Sequence, residues 1–276
     1  MVTSEQRRKQ LARQKHLRQQ QRRSAARRRH RVRNAVIAGG LVLALAGGAV
    51  YAAVGLSGGD GGAGTVDNAE ASPTPAPDPC EKPAAGKPNG KQWKKEPKMA
   101  IDASASYTMK LATTCGDIGI ELDAENAPRT VNSFSFLAGE GFFDHTRCHR
   151  LVEEGIYVLQ CGDPTGTGQG GPGYSIPDEN LKAETVAGGT YPAGTVAMAN
   201  TYNAQADEGR DTGGSQFFLV YQDSPLPPDY TPFGTITEGM DVLERIAEAG
   251  SSQDPQIQAT VPNATVVINK AEVTEG

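Results

Sequence analysis

The chain has 276 residues, a length that allows one or two domains with one sizeable hydrophobic core, and its net charge is −5. The small net charge conceals an asymmetry, because residues 1–33 carry 13 Lys/Arg and one acid whereas the remainder sums to −17. No aromatic or base-reading residues are interleaved with the basic arm, so nucleic acid is not predicted as a partner.

The basic arm ends against a charge-free apolar run, Ala35–Leu56. As a helix this run would extend about 33 Å, enough to cross the hydrocarbon core of a bilayer. We therefore predict a cytoplasmic arm at 1–33 and a single-pass transmembrane helix at 34–56 in the cell membrane, with an extracytoplasmic C-terminal part. A cleaved signal peptide is the alternative, although its apolar region is usually about 7–15 residues long.

Residues 57–98 are rich in Gly, Ser, Pro and Lys and include the single tryptophan, Trp93. Gly/Ser segments are flexible and Pro-rich segments are extended, and neither supplies a packed core. We predict that 57–98 is a disordered linker, which holds a globular domain at 99–276 away from the membrane.

The globular domain reads mainly as short strands. Helical apolar spacing occurs in two places, one opened by Pro128 and one from about Glu238 to Ala249. Many strands with two isolated helices argue against alternating βαβ units, so we predict a mainly β, closed antiparallel barrel with two helical caps. The expected strands lie near residues 107–114, 118–122, 195–199, 216–221, 233–236 and 264–269.

Residues 148–161 are predicted to form a β-hairpin whose connection is Glu153–Gly155. Arg150 lies in one strand and Gln160 in the other. An arginine costs free energy in a half-buried sheet unless a function requires it there. Such a function requires that both side chains project from the same face of the hairpin.

Four cysteines follow the apolar run, on the side of a membrane where disulfides persist. The pairing Cys148–Cys161 with Cys80–Cys115 is slightly preferred, because Cys148 and Cys161 flank the hairpin. If Arg150 and Gln160 share a face, however, a regular hairpin would direct the two cysteines to opposite sides, and only a β-bulge would join them. No metal-ligand spacing is found, so no metal is predicted.

Two glycine-containing motifs are excluded as sites. The run Gly166–Gly171 matches a dinucleotide fingerprint, but Pro172 follows it and no helix can begin there. The run Gly213–Phe217 resembles a nucleophile elbow without its closing glycine. No cofactor is therefore predicted.

Five motifs stand in a recognisable order: His149-Arg150, Gln160–Asp163, Met198–Asn200, Gly214–Phe218 and Phe233-Gly234. In this order the chain resembles the cyclophilin-type peptidyl-prolyl cis-trans isomerases over residues 99–276. The resemblance implies an eight-stranded antiparallel barrel capped by two helices, and an enzyme that accelerates rotation about X-Pro bonds. With the anchor, it suggests a bacterial, membrane-anchored and monomeric member that assists folding of secreted or cell-surface proteins.

The resemblance implies that Arg150 is the catalytic group and that Gln160 positions it. Two extra residues between Arg150 and Gln160, and about seven between Asn200 and Ser215, depart from the family pattern. These insertions leave open a non-catalytic module that binds proline-containing peptides. The implied substrate-binding residues are Tyr157, Val158, Gly168, Ala199, Asn200, Gln216, Phe218, Leu226 and Tyr230.

Overall fold

The structure is a computed structural model that describes residues 77–276. The predicted arm at 1–33, the predicted transmembrane helix at 34–56 and the first part of the predicted linker lie outside these residues. Within 77–276, no helix combines the length and the apolar character that crossing a bilayer requires.

The described chain forms eleven strands and three helices, and the first and third helices are the two predicted ones. The strands are β1 (Tyr107–Thr113), β2 (Gly116–Leu122), β3 (Thr146–Arg147), β4 (Arg150–Val152), β5 (Val158–Cys161), β6 (Thr195–Met198), β7 (Phe217–Val220), β8 (Pro232–Glu238), β9 (Ser251–Asp254), β10 (Ala259–Pro262) and β11 (Val267–Glu275). The helices are α1 (Pro128–Gly139), α2 (Glu184–Ala187) and α3 (Met240–Glu248).

Nine strands form one sheet in the order β3-β11-β1-β2-β8-β6-β7-β5-β4, and all its pairs are antiparallel. The edge strands β3 and β4 are separated along the chain by only Cys148 and His149. β3 is paired only with β11 and β4 only with β5, and no ladder pairing joins these two edge strands to each other. The sheet is a curled, open half-barrel, so the mainly β class is confirmed and the closed eight-stranded barrel is not.

The main core lies between the sheet and α1. Phe134 projects from α1 into an aromatic cluster, with ring centroids 5.2 Å from Phe143, 5.6 Å from Phe217 and 4.5 Å from Phe233. Pro128 occupies the first turn of α1, where its missing N–H leaves no hydrogen bond unmade. This packing holds α1 against the sheet, while alternate residues of β5, β6 and β7 form a second apolar cluster.

Residues 77–98, which we call the strap, pack against the domain. Cys80 forms a disulfide with Cys115, and the Trp93 ring centroid lies 5.1 Å from that of Phe136. The Cys80–Cys115 pairing is thus confirmed, and the prediction of a disordered linker does not hold for 77–98. The composition correctly indicated that the strap has no core of its own, but one disulfide and one aromatic ring attach it to the core of the domain.

Candidate active site

β4 and β5 form the predicted hairpin, with Arg150 opposite Gln160 and Val152 opposite Val158. Opposite residues of an antiparallel pair project from the same face, so the requirement that Arg150 and Gln160 share a face is met. Arg150 Nη1 donates a hydrogen bond to Gln160 Oε1 at 3.2 Å. The connection spans five residues, 153–157, rather than the three predicted, and it accommodates the two extra residues without a register shift.

A β-bulge reconciles this register with the disulfide. The His149 N–H donates to the Gln160 carbonyl at 3.0 Å, although Arg150 is the residue paired with Gln160. Two residues of one strand therefore oppose one residue of its partner, which defines a bulge. The extra residue returns Cys148 to the side of Cys161, with Cα atoms 4.0 Å apart, and the Cys148–Cys161 pairing is confirmed.

Two glutamines continue the hydrogen bonding from Arg150 to the glycine-rich loop. Gln160 Nε2 donates to Gln216 Oε1 at 2.9 Å, and Gln216 Nε2 donates to the Gly170 carbonyl at 2.9 Å. Each amide accepts through oxygen and donates through nitrogen, so the relay has one direction and fixes the orientation of both amides. The relay holds the guanidinium in one place while occupying only one of its five N–H donors.

The electrostatic setting of Arg150 keeps it cationic. Burial lowers the pKa of the Arg150 guanidinium, and the nearby Tyr230 opposes that effect. Arginine ordinarily titrates far above neutral pH, so the group remains charged at physiological pH. No acid among residues 77–276 forms an ion pair with it.

A cavity of about 120 Å³ brings together eight of the eleven predicted site residues. Arg150 is the sole charged residue among those that line it, and most of the others present apolar surface. The cavity is therefore suited to a small apolar ring next to a cationic donor. Its lining residues are Arg150, Ile156, Val158, Gln160, Ala199, Asn200, Phe218, Leu226 and Tyr230.

Strand β7 separates this cavity from the main core. Phe217 and Leu219 belong to the main core, whereas Phe218 and Val220 belong to a second apolar cluster behind the cavity. Alternate side chains of a strand project from opposite faces, so a strand buried on both faces reads as a continuous apolar run. The Phe218 ring meets that of Tyr230 edge-to-face at 5.4 Å between centroids.

A tyrosine pair fixes this wall of the cavity. The Tyr191 hydroxyl donates to the Tyr230 carbonyl at 2.6 Å and accepts from the Tyr230 N–H at 3.2 Å. Burial raises the pKa of Tyr191 to about 12, so the hydroxyl stays protonated and remains a donor. The backbone of Tyr230 is thereby held in place beside Phe218.

The remaining three predicted residues lie elsewhere. Gly168 and Gln216 line an adjacent groove of about 620 Å³, which shares Gln160, Ala199 and Asn200 with the cavity.

In residues 77–276, no three His, Cys, Asp or Glu side chains converge as a metal site would require.

Tyr157 does not line the cavity, which corrects its predicted placement. Its ring lies beside that of Tyr221, with centroids 6.0 Å apart. Ile156 and Val158 line the cavity, whereas Tyr157, in the connection between β4 and β5, does not. The sequence reasoning missed Ile156, although counting every second residue back from Gln160 would have found it.

Asp163 organises the glycine-rich loop from beneath. Its carboxylate is fully buried, and it accepts five hydrogen bonds from the loop. Gly170 must be a glycine, because a Cβ at that position would overlap Asp163 Oδ1. The donors are Thr165 N at 2.7 Å, Thr165 Oγ1 at 2.8 Å, Thr167 N at 3.0 Å, Gly168 N at 2.6 Å and Gly170 N at 3.1 Å.

The titration of Asp163 gives a testable pH dependence. Burial raises the pKa of Asp163, but hydrogen bonds from Thr165, Gly170 and Gly168 outweigh it and hold the net pKa below the ordinary 3.8. A folded-state pKa below the unfolded one stabilises the fold above the unfolded pKa. That contribution is lost as the pH falls from about 4 through the folded-state pKa.

We expect Asp163→Asn to lower the free energy of unfolding at pH 7 by about 2 kcal/mol. The reason is that one amide, with a single acceptor oxygen, would replace a carboxylate whose two oxygens accept hydrogen bonds from the N–H donors of the loop. Urea unfolding would measure this difference, which should narrow below about pH 4 as the wild-type carboxylate protonates. Asp241→Asn, on an exposed carboxylate, is the control and should change little. An equal difference at pH 7 and pH 3 would contradict the role of the ionised group.

The extra residues between Asn200 and Ser215 brace the site rather than cover it. Arg210 lies in this segment, with its guanidinium carbon 3.4 Å from the Tyr202 ring centroid. It forms ion pairs with Asp229 and, at 3.7 Å, with Asp178. The same two acids receive hydrogen bonds from Asn200 Nδ2, at 2.8 Å to the carbonyl of Asp229 and 3.3 Å to the carboxylate of Asp178.

We expect Arg210→Ala to raise KM for a prolyl peptide by about threefold to tenfold, with a smaller change in kcat. The reason is that the variant loosens Asn200 without touching Arg150. Steady-state exchange kinetics would measure both constants, with Arg245→Ala on α3 as a control for removal of a partly exposed arginine. A selective fall in kcat would contradict this assignment.

The fold and the cavity define a β-rich, half-barrel protein in which one arginine lines a small and mostly apolar cavity. Residues 108–273 match the family model described as "Cyclophilin type peptidyl-prolyl cis-trans isomerase/CLD". The chain belongs to this family. The matched residues include every residue that lines the cavity and most of each strand of the large sheet, and they exclude the strap.

Two mycobacterial relatives carry the name "Probable peptidyl-prolyl cis-trans isomerase B". The protein of Mycobacterium leprae is 46% identical over 159 residues, covering 53% of this chain and 50% of the relative. That of Mycobacterium tuberculosis is 43% identical over 185 residues, covering 64% of this chain and 55% of the relative. The chain thus spans about half the length of these two relatives.

Shorter relatives and solved structures agree with the family. "Peptidyl-prolyl cis-trans isomerase B" of Bacillus subtilis is 38% identical over 143 residues, covering 51% of this chain and 90% of the relative. A crystal structure of a cyclophilin type isomerase from Cryptosporidium parvum has a TM-score of 0.51 at 25% identity, covering 62% of this chain and 99% of that chain. A second crystal structure of that protein was determined in the presence of the dipeptide Ala-Pro.

Proposed function

We propose that this protein is a peptidyl-prolyl cis-trans isomerase. The observation that carries the proposal is a single charged group, Arg150, held by Gln160 at a cavity otherwise suited to an apolar ring. The family of the chain and the names of its relatives support the same activity.

The reaction requires no bond to another atom. Rotation about an X-Pro amide breaks C–N resonance and meets a barrier of about 18–20 kcal/mol. An enzyme lowers it by binding the twisted amide better than either planar isomer. In the twisted state the prolyl nitrogen is pyramidal and gains a lone pair, which an N–H of Arg150 would hydrogen-bond. A millionfold acceleration requires about 8 kcal/mol of such differential stabilisation.

The other residues take supporting roles. Val158, Phe218 and Leu226 would hold the proline ring and exclude water from the amide, which strengthens the hydrogen bond from Arg150. Ala199, Asn200 and Gln216 would anchor the peptide on either side of the bond, so that one end rotates against a fixed other end. Gly168 lines the same groove as Gln216 and allows close approach of the peptide backbone.

We further propose an extracytoplasmic, membrane-anchored site of action in a bacterium, where the protein would assist folding of secreted or cell-surface proteins. Two disulfides use all four cysteines, which fits an oxidising compartment. The predicted anchor at 34–56 fits the same location. We propose that the protein acts as a monomer, as its resemblance to the family suggests.

The test is cis/trans exchange of an Ala-Pro peptide, measured by NMR with the full chain in a neutral detergent. We expect acceleration of exchange, and none when the prolyl residue of the peptide is held in one isomer by a rigid mimic. The alternative, a non-catalytic proline-peptide binder, would bind the same peptide without accelerating exchange. Binding with no acceleration at any protein concentration would overturn the proposed activity.

A further inference from the structure

The strap is a cationic segment on an acidic domain. It carries six lysines and three acids, a net charge of +3 over residues 77–98. Residues 99–276 carry eight Lys/Arg and 25 acids, a net charge of −17. The strap lies outside the residues that match the family, so its charge is a feature of this chain beyond the family domain.

The strap borders the groove that adjoins the candidate active site. Gln92 lines that groove together with Gln160 and Gln216. A second groove, of about 650 Å³, lies along Lys94–Met99 and Arg129, and we call it the strap groove. Tyr174 and Ser175 line both grooves, so the two grooves adjoin at these residues.

The backbone of the strap is fixed where it forms this wall. The Trp93 N–H donates to the Pro172 carbonyl at 2.8 Å. Asn132, which is buried, donates to the Lys98 carbonyl at 3.2 Å and accepts from the Ala100 N–H at 2.8 Å. The backbone that carries the lysines between these two attachments is therefore already ordered, which reduces the conformational entropy lost when the lysines bind a partner.

Three lysines of the strap groove have no acidic partner in the described chain. Glu96 is used by Arg129, and no carboxylate among residues 77–276 lies within 4.0 Å of Lys94, Lys95 or Lys98. Next to them is Met99, which is 53% exposed and is the sole large exposed apolar side chain in that part of the molecule. The strap groove thus offers three unpaired cations and one apolar contact.

We propose that the strap groove is a subsite for acidic residues of the prolyl substrate, several positions away from the proline. This inference rests on the proposed function. A peptide lying in the cavity and its adjoining groove would continue past Tyr174 into the strap groove, where its carboxylates would meet Lys94, Lys95 and Lys98. An acidic lipid surface is the competing partner of these lysines, but a concave groove that joins the peptide channel favours a peptide.

The test compares pairs of labelled Ala-Pro peptides. The two peptides of a pair differ only by Glu or Gln at one position, and that position varies from pair to pair on both sides of the proline. Affinity is measured by fluorescence anisotropy with the full chain in a neutral detergent, which requires no catalysis. We expect the best-placed Glu peptide to bind about threefold to fivefold more tightly than its Gln counterpart at low salt. The preference should fall as salt is raised, because exposed charges are screened.

Two variants with the same change in charge locate the effect. Lys94→Gln/Lys95→Gln should abolish the preference, whereas Lys82→Gln/Lys87→Gln, on exposed strap positions outside the strap groove, should retain it. Equal binding of the Glu and Gln peptides to the wild type, or an equal effect of the two variants, would overturn the proposal. Cis/trans exchange of the Gln peptide, run in parallel, reports separately on the proposed isomerase activity.

The lipid alternative has its own readout in Trp93, the single tryptophan, which precedes Lys94. Micelles with added phosphatidylglycerol would shift Trp93 emission if the strap binds acidic lipid. A shift that Lys94→Gln/Lys95→Gln removes, without any preference for the Glu peptide, would assign the strap groove to lipid and overturn the proposal. A preference for the Glu peptide without that shift supports it.

Discussion

Replacing Arg150 by alanine is expected to lower kcat/KM for prolyl exchange by about 10²–10³-fold. The guanidinium is the sole charged group that lines the cavity, and Gln160 holds it in position. Its removal would take away a donor that acts on the twisted amide while leaving the apolar wall intact. Line-shape or exchange NMR on an Ala-Pro peptide measures the loss, and the binding of the peptide should weaken much less.

Arg150→Lys is the matched variant for this experiment. Lysine keeps the charge but lacks the planar fork that donates to Gln160 Oε1 and to the substrate together, so we expect an intermediate loss of about tenfold to a hundredfold. Far-UV circular dichroism of each variant would show whether the hairpin still folds. If Arg150→Ala exchanges the peptide as fast as the wild type, the proposed mechanism is wrong.

Removing the Cys148–Cys161 disulfide is expected to cost both stability and activity. The bridge closes a loop with a sequence separation of 13 residues, for which the loss is about 3 kcal/mol. β4 is a three-residue edge strand whose one partner in the sheet is β5, so the bridge holds the hairpin that carries Arg150. We expect Cys148→Ala/Cys161→Ala to show a lower urea midpoint, and a lower kcat/KM well below that midpoint.

The second disulfide supplies the control. Cys80→Ala/Cys115→Ala opens a longer loop, with a sequence separation of 35 residues, and should cost about 4 kcal/mol. It frees the strap only at Cys80 and does not touch the hairpin, so kcat/KM for a neutral peptide should be unchanged. If removing Cys148–Cys161 lowers stability but leaves kcat/KM equal to that of the wild type, the bridge stabilises the fold alone.

The register of one hairpin illustrates what local sequence determines. Apolar runs on either side of Glu153–Gly155 indicated the hairpin, and the pairing of Arg150 with Gln160 follows from it. The helix opened by Pro128 was likewise predictable, because it depends on apolar spacing along one short segment. The family motifs carried the rest of the candidate site, and eight of its eleven residues meet in one cavity.

Tertiary structure decided the features that depend on distant segments. Ile156 lines the cavity and Tyr157 does not, because both lie in the connection between β4 and β5, whose path the strand pattern does not fix. The two edges of the sheet, β3 and β4, are set by pairing with β11 and β5, which come from distant parts of the chain for β3 and from the same hairpin for β4.

The strap shows the limit of composition most clearly. Its lysines, prolines and glycines indicated a segment without a core, and that is true of the segment by itself. Its order comes from Cys115 and Phe136, which lie far along the chain and which no local pattern connects to it. The sequence by itself determined the two longer helices, the hairpin, most strands of the large sheet and the chemistry of the site, since these depend on neighbouring residues; it did not indicate β9, β10 or α2. The packing of remote segments decided which of those residues share a cavity and which lysines border it.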